Sequence, residues 1–173
     1  MDLNSAVFQA LALALGLDPA DPEASRRIRR AYVSPSPPPP PADRDTLYYH
    51  LMPDGSVRPL EESETCEGFP CFFRFAPYRL LLAFYGPSAE SLAWRVYHRL
   101  YLDGYRSPRR ALRAAGIYPV PDPPGPVFLF EEWEKEHRPR VDLTIPLRIA
   151  AAESDSARPA DLVEVPPDVL MHI

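Results

Sequence analysis

The side chains that could hold a metal ion are Cys66 and Cys71, with His50 as a third donor, and a run of glutamates that begins at Glu131. Thiolates with imidazole would bind zinc, whereas closely spaced carboxylates would bind a divalent cation. Two cysteines are too few for a structural zinc site, and no paired-histidine motif completes one. A solvated acidic strand edge explains the glutamates better, so we expect reduced thiols, no metal and no cofactor.

Catalytic motifs are missing from the sequence. It contains no GxSxG elbow, no glycine-rich phosphate loop, no HExxH and no CxxC. The four histidines occur in unrelated contexts, and His98 lies beside Arg95 and Arg99 in a predicted helix, which favours a surface or interface role. We expect a protein that is not an enzyme. A metal-dependent enzyme that uses the carboxylates ranks third, behind two hypotheses without catalysis.

Charge is distributed unevenly along the chain. The net charge is -5, yet residues 88–116 carry six arginines against two acids. An acidic chain argues against a protein that wraps nucleic acid through a net basic surface. The sequence therefore predicts one arginine-rich helical region within an otherwise acidic protein.

Three segments that position these residues have apolar side chains at helical spacing. The first spans residues 3–17 and ends at Gly16 or at the following Asp-Pro pair. The second begins after Ser88, a favourable N-cap, and the third spans residues 107–116. The outer face of the third helix carries Arg106, Arg109, Arg110 and Arg113.

Other segments have strand character. Residues 46–52 are followed by Pro53-Asp54-Gly55, which predicts a hairpin whose second arm starts at Val57. Residues 78–85 are apolar enough for a central strand that is buried on both faces, and residues 127–133 are a further predicted strand. Residues 141–149 alternate strictly, with Pro146 on the outer side indicating an edge or a bulge. An acidic, poorly structured segment is predicted at 61–67.

Proline is in excess, with 24 residues against 7 glycines, and this rules out long unbroken helices. The run at 35–41 must be extended, and a surface loop is favoured over a ligand for an SH3-type groove.

The fold predicted is a single α+β domain over residues 1–173, with a mostly antiparallel sheet, an N-terminal helix and two further helices packed on it. Its appendages are a proline-rich loop at 34–45, a hairpin and acidic loop at 53–70, and a C-terminal extension at 153–173. No segment reaches the roughly 18 apolar residues of a membrane span, so we expect no membrane contact.

The order of elements from residue 80 to residue 152 carries a resemblance. An apolar strand leads into Phe84-Tyr85-Gly86-Pro87-Ser88-Ala89-Glu90, followed by two helices, a proline loop, a glutamate-rich strand and an alternating strand that ends Arg148-Ile149-Ala150-Ala151-Ala152. This order resembles the neck terminator and tail terminator proteins of tailed bacteriophages, which are small α+β virion proteins at the head-tail junction. The resemblance covers about residues 3–165 and lies in arrangement rather than in a unique motif.

The resemblance implies a ring, commonly a hexamer, that caps the tail tube, halts its polymerisation and docks the tail to the head connector. The partners it implies are the tail tube protein, the connector or adaptor, further copies of the chain and a tail sheath, with DNA passing through the lumen. It also implies assembly in the host cytoplasm and a final location in the virion.

Two sets of charged residues would serve such a ring. An acidic lumen would repel passing DNA, and its candidates are Glu131, Glu132, Glu134, Glu136, Glu61, Glu62 and Glu64. An arginine surface would pair with an acidic patch on a neighbouring subunit or partner, and its candidates are Arg95, Arg99, Arg106, Arg109, Arg110 and Arg113. The alternative function is a monomeric adaptor or peptide-interaction module that presents the proline run as its ligand.

Overall fold

The computed structural model describes residues 2–31, 43–57, 59–66, 69–102, 107–121, 123–133 and 136–151. The helices within these residues are α1 (Leu3–Leu15), α2 (Pro22–Arg27), α3 (Ala89–Tyr101) and α4 (Ser107–Ala114). The strands are β1 (Ile28–Arg30), β2 (Thr46–Pro53), β3 (Leu60–Cys66), β4 (Phe69–Tyr85), β5 (Ile117–Pro119), β6 (Val127–Trp133) and β7 (Glu136–Ala151).

All the described strands belong to one sheet built around two long neighbours, β4 and β7. The order is β1-β2-β4-β7-β5, with β3 paired to β4 and β6 paired to β7. Only β1 and β2 are parallel, and each of the other pairs is antiparallel. The sheet is therefore mixed and mostly antiparallel, and together with the helices it confirms the predicted α+β class.

Each of the two central strands pairs on its outer side with two short strands, one after the other along its length. Along β4, β2 pairs with residues 78–85 and β3 with residues 69–75. Along β7, β5 pairs with residues 147–149 and β6 with residues 136–142. Both β4 and β7 therefore face a gap between two short partners.

A proline lies opposite each gap. The N–H of Asp54 donates to the carbonyl of Pro77 at 2.9 Å, and the N–H of Val120 donates to the carbonyl of Pro146 at 2.9 Å. Because N–H and C=O of one strand residue point to the same side, the donor that each proline lacks would point into a gap. The prediction that Pro146 marks an edge or a bulge was wrong, since it lies inside a central strand where no ladder bond is lost.

The core lies between one face of the sheet and the helices. The alternating residues of β7 from Val141 to Ile149 are buried, and Leu80, Leu82 and Phe84 of β4 lie on the same face. Helix α3 packs on both strands, while α1 packs on α3 and α4. Among the described elements, the helices cover only this face of the sheet. Strand β4 is therefore not equally buried on both sides: Leu81 and Ala83, which point away from the core, are partly exposed.

Helix boundaries follow local chemistry. Helix α1 ends at Gly16, whose φ of 79° is a left-handed conformation that glycine adopts without strain. Helix α2 begins after Asp21, whose carboxylate accepts a hydrogen bond from the N–H of Glu23 at 2.8 Å. Ser88 occupies the N-cap position of α3 but makes no side-chain cap bond. Instead its own N–H donates to Asp45 at 2.8 Å, which ties α3 to the segment before β2.

Two further predictions about strands were wrong. Residues 60–66 are not a poorly structured acidic segment, because they form β3 and pair antiparallel with β4. Nor does Pro53-Asp54-Gly55 make a hairpin between β2 and the segment after it, because both β2 and β3 pair with β4. Most of the predicted proline-rich loop at 34–45, and the C-terminal extension at 153–173, lie outside the described residues.

Candidate functional site

The predicted outer face of α4 is only partly arginine, because the Nε of Arg109 is buried without a hydrogen-bond partner among the described residues. Arg110 and Arg113 are exposed and Arg109 is half-buried, while Pro108 and Leu112 face the core. Helix α4 packs mainly on α1. Arg110 and Arg113 are therefore the solvent-exposed cations among the described arginines of this helix, while Arg106 lies outside the described residues.

The two arginines of α3 are engaged within the chain. Arg99 donates through Nη1 to the carbonyl of Leu13 at 3.0 Å, and Arg95 donates to the carbonyl of Leu15 at 3.5 Å. These carbonyls belong to the last turn of α1, where the helix dipole attracts cations. Arg95 and Arg99 thus close the end of α1, and their predicted interface role stays a prediction.

Glu131 belongs to a charged cluster on the sheet face that points away from the helices. Its carboxylate accepts a hydrogen bond from the hydroxyl of Tyr85 at 2.7 Å and lies 3.5 Å from Nη1 of Arg140. Arg140 also donates two hydrogen bonds to Asp142, at 2.6 and 2.9 Å. One arginine therefore serves two carboxylates, which leaves the cluster with a net charge near -1.

The same cluster shifts the titration of its members. Burial, followed by the hydrogen bond to Glu131, raises the pKa of the Tyr85 hydroxyl. The hydrogen bonds to Asp142 raise the pKa of the Arg140 guanidinium, which stays charged. Tyr85 also packs edge-on against Tyr48, with ring centroids 5.8 Å apart. Because a neutral Tyr85 and a charged Arg140 hold it, Glu131 is a poorer source of lumen charge than a solvated glutamate would be.

The structure does not bring the two predicted acidic groups together. Glu61 is paired in register with Arg74, whereas Glu131 bonds Tyr85, eleven residues further along β4. At about 3.3 Å per residue, eleven residues span about 36 Å, so the two groups lie towards opposite ends of the sheet. Glu62 and Glu64 lie on β3, Glu132 on β6 and Glu136 on β7, while Glu134 lies outside the described residues.

Strand register also separates the candidate zinc ligands Cys66 and Cys71 from His50. His50 pairs with Leu81 and Glu64 pairs with Cys71, ten residues apart along β4. This spacing corresponds to about 33 Å along the strand. In the part of the chain that the structure describes, no group of three His, Cys, Asp or Glu residues could hold a metal ion.

One candidate surface escaped the sequence reasoning, namely the exposed apolar part of β6. Val127, Phe128, Leu129 and Phe130 are 53%, 52%, 42% and 83% exposed. Strand β6 pairs with β7 alone among the described strands, so its outer backbone edge is open as well. The signal was present in the sequence: four consecutive apolar residues without alternation have no face to turn to solvent.

No protein-family model matches the chain, and no curated protein matches it. Within the described residues, every helix is too short or too polar to cross a membrane.

Proposed function

We propose that this chain is a structural virion protein of the phage head-tail junction, a ring-forming terminator that caps the tail tube and docks the tail to the head connector. The observation that carries the proposal is the open apolar edge at β6, since a strand with an unpaired edge and exposed large side chains is built to be covered by another chain. The α+β arrangement, with its order of strand, two helices and strands, supports the resemblance on which the proposal rests.

The shape of the sheet suits a protein that contacts neighbours above and below a ring. Pairing between β4 and β7 covers residues 74–85 and 140–151. Beyond these limits the β3-β4 hairpin continues at one end, and the β6-β7 hairpin continues at the other end. Two hairpins that extend from opposite ends of one subunit could contact the tail tube on one side and the connector on the other.

Charge supports separate roles for the two layers. The exposed cations Arg110 and Arg113 lie on the helical layer, and the carboxylate cluster around Glu131 lies on the opposite face of the sheet. In a ring, the helical layer would pair with an acidic partner, and acidic segments near the lumen would repel DNA.

Light scattering coupled to size-exclusion chromatography tests ring formation, with or without assembled tail tubes present. A ring of defined size supports the proposal, and a chain that stays monomeric in both settings favours the adaptor alternative. The double variant Arg110→Glu with Arg113→Glu then tests docking: we expect rings to form but head-tail joining to fail. Unimpaired joining by this variant would remove the arginine surface from the proposal.

A further inference from the structure

Two of the edge strands among the described residues, β1 and β6, lie in the same rows of paired residues. Register places Ile28 beside Leu47, Leu47 beside Phe84, Phe84 beside Val141 and Val141 beside Phe128. The next row runs in the same way from Arg29 to Val127. A continuous row of five strands therefore has β1 at one end and β6 at the other.

The directions of these edge strands also match. Strand β1 runs parallel to β2, and β2 and β7 both run antiparallel to β4, so β1, β2 and β7 share one direction. Strand β6 runs antiparallel to β7 and hence opposite to β1. A second copy placed beside the first in the same orientation would bring its β1 against β6 as an antiparallel pair, which is the more stable type.

Backbone groups at the edge of β1 are oriented for such a pair. Ala31 donates to the carbonyl of Tyr49 at 2.8 Å, so the alternating pattern of a parallel ladder turns Arg29 and Ala31 towards β2. The N–H and C=O of Arg30 then point outwards, away from β2. The N–H of Ile28 is already bonded to the carbonyl of Ala24 in α2. The bonding capacity left at this edge is therefore centred on Arg30.

The side chains at the two edges are complementary in charge and in polarity. Near β1, Arg26 and Arg30 are exposed, and Arg29 is half-buried. The exposed apolar residues of β6 begin in the rows that contain β1, and Glu131 and Glu132 follow them along the strand. Those glutamates lie at the same end of the sheet as α2, which holds Arg26. Arginine stems could cover the apolar side chains, and the acidic end of β6 in one copy would lie towards the basic end of β1 in the next.

We propose that copies of this chain join head to tail, with β6 of one copy adding to β1 of the next and extending the sheet from subunit to subunit. This proposal rests on the ring proposed above and specifies the surfaces that build it. A head-to-tail interface is heterologous, so it closes into a ring when the rotation between copies divides a full turn.

Disulfide trapping tests the pairing. In a Cys66→Ser, Cys71→Ser background, Arg29→Cys and Val127→Cys are combined in one chain. Opposite residues of paired strands have Cβ atoms about 4.5–5.5 Å apart, close enough for a disulfide with a small adjustment. Within one chain the two positions are four strand spacings apart, about 19 Å, so any disulfide between them joins two copies. Arg29→Cys with Tyr118→Cys is the matched control. Tyr118 is exposed and lies on β5, which pairs with the same side of β7 as β6 does, but in a different row of the sheet from Arg29 and Val127.

We expect the Arg29-Val127 pair to give a ladder of covalent multimers, at least about tenfold more than the control pair gives. A mixture of the two single variants should stop at covalent dimers, since each chain then has one cysteine. Dimers of Val127→Cys alone would overturn the proposal in favour of a symmetric β6-β6 contact. If the double-cysteine variant forms rings in which no Arg29-Val127 disulfide appears, this interface is wrong, while the terminator function still stands. A chain that neither associates nor crosslinks would overturn the interface whatever the tails show.

Discussion

Arg79 on β4 binds the carboxylate of Asp54 with two hydrogen bonds, from Nε at 2.6 Å and from Nη2 at 2.7 Å. Asp54 is the first residue after β2, and its side chain is 8% exposed. It also accepts hydrogen bonds from the N–H and the hydroxyl of Ser56, at 3.0 and 2.6 Å. This pair secures the loop that separates β2 from β3 and fixes the gap opposite Pro77.

The Asp54-Arg79 pair should make stability depend on pH. Hydrogen bonds from Arg79, followed by those from Ser56, hold the pKa of Asp54 well below its ordinary value. A carboxylate with a lowered pKa stabilises the fold above its unfolded pKa of about 3.9, and that stability is lost progressively as the pH falls below it. We expect Asp54→Asn to lower the urea midpoint at pH 7 and to flatten its decline between pH 5 and pH 2. An unchanged decline in the variant would contradict the role given to this pair.

Gly86 should be the least replaceable glycine among those described. Its φ is 106°, and an added Cβ would lie 2.6 Å from the carbonyl oxygen of Arg44 and 2.7 Å from Cα of Asp45. We expect Gly86→Ala to lower the free energy of unfolding by about 3 kcal/mol, because both the backbone strain and the clash involve main-chain atoms. Gly55→Ala is the control, since nothing lies within 4 Å of its added Cβ, and it should change stability by less than about 0.5 kcal/mol. Equal denaturation curves for the two variants would refute this.

The arginine surface should separate into a structural part and a partner-binding part. Arg99→Gln removes the charged donor at the end of α1 and should cost about 1–2 kcal/mol in urea denaturation. Arg110→Gln makes the same change at an exposed arginine and should leave the urea midpoint unchanged. If Arg99→Gln is neutral as well, the hydrogen bond of Arg99 to Leu13 contributes nothing to stability, and the proposed structural role of Arg99 is wrong.

Phe130 should contribute to self-association. It is 83% exposed, so Phe130→Glu should fold normally while weakening association at least about tenfold, measured by sedimentation equilibrium. Leu102→Glu is the matched control, because Leu102 is 69% exposed and lies at the end of α3, outside the sheet. Equal association constants for the two variants would show that β6 is not the contact.

The sequence predicted the fold where local pattern and tertiary packing agree. Strict alternation from Val141 to Ile149 and helical spacing after Ser88 identified β7 and α3 correctly. It failed where pairing decides the structure, because the glutamates at 61–64 oppose strand formation locally, yet β4 offers them a long partner. Pro146 misled for the same reason, since its tolerance in a central strand depends on a gap in a neighbouring strand. The internal bonds of Arg99 and Glu131 could not be predicted either, because their partners are distant in the chain.

Tail length in assembled particles tests the proposed terminator function most directly. Particles would be assembled with and without this protein, and their tails measured by electron microscopy. Overlong tails or tails without heads, restored to normal length by the intact chain, are the expected result. Normal tails joined to heads in its absence would contradict the function proposed for this protein.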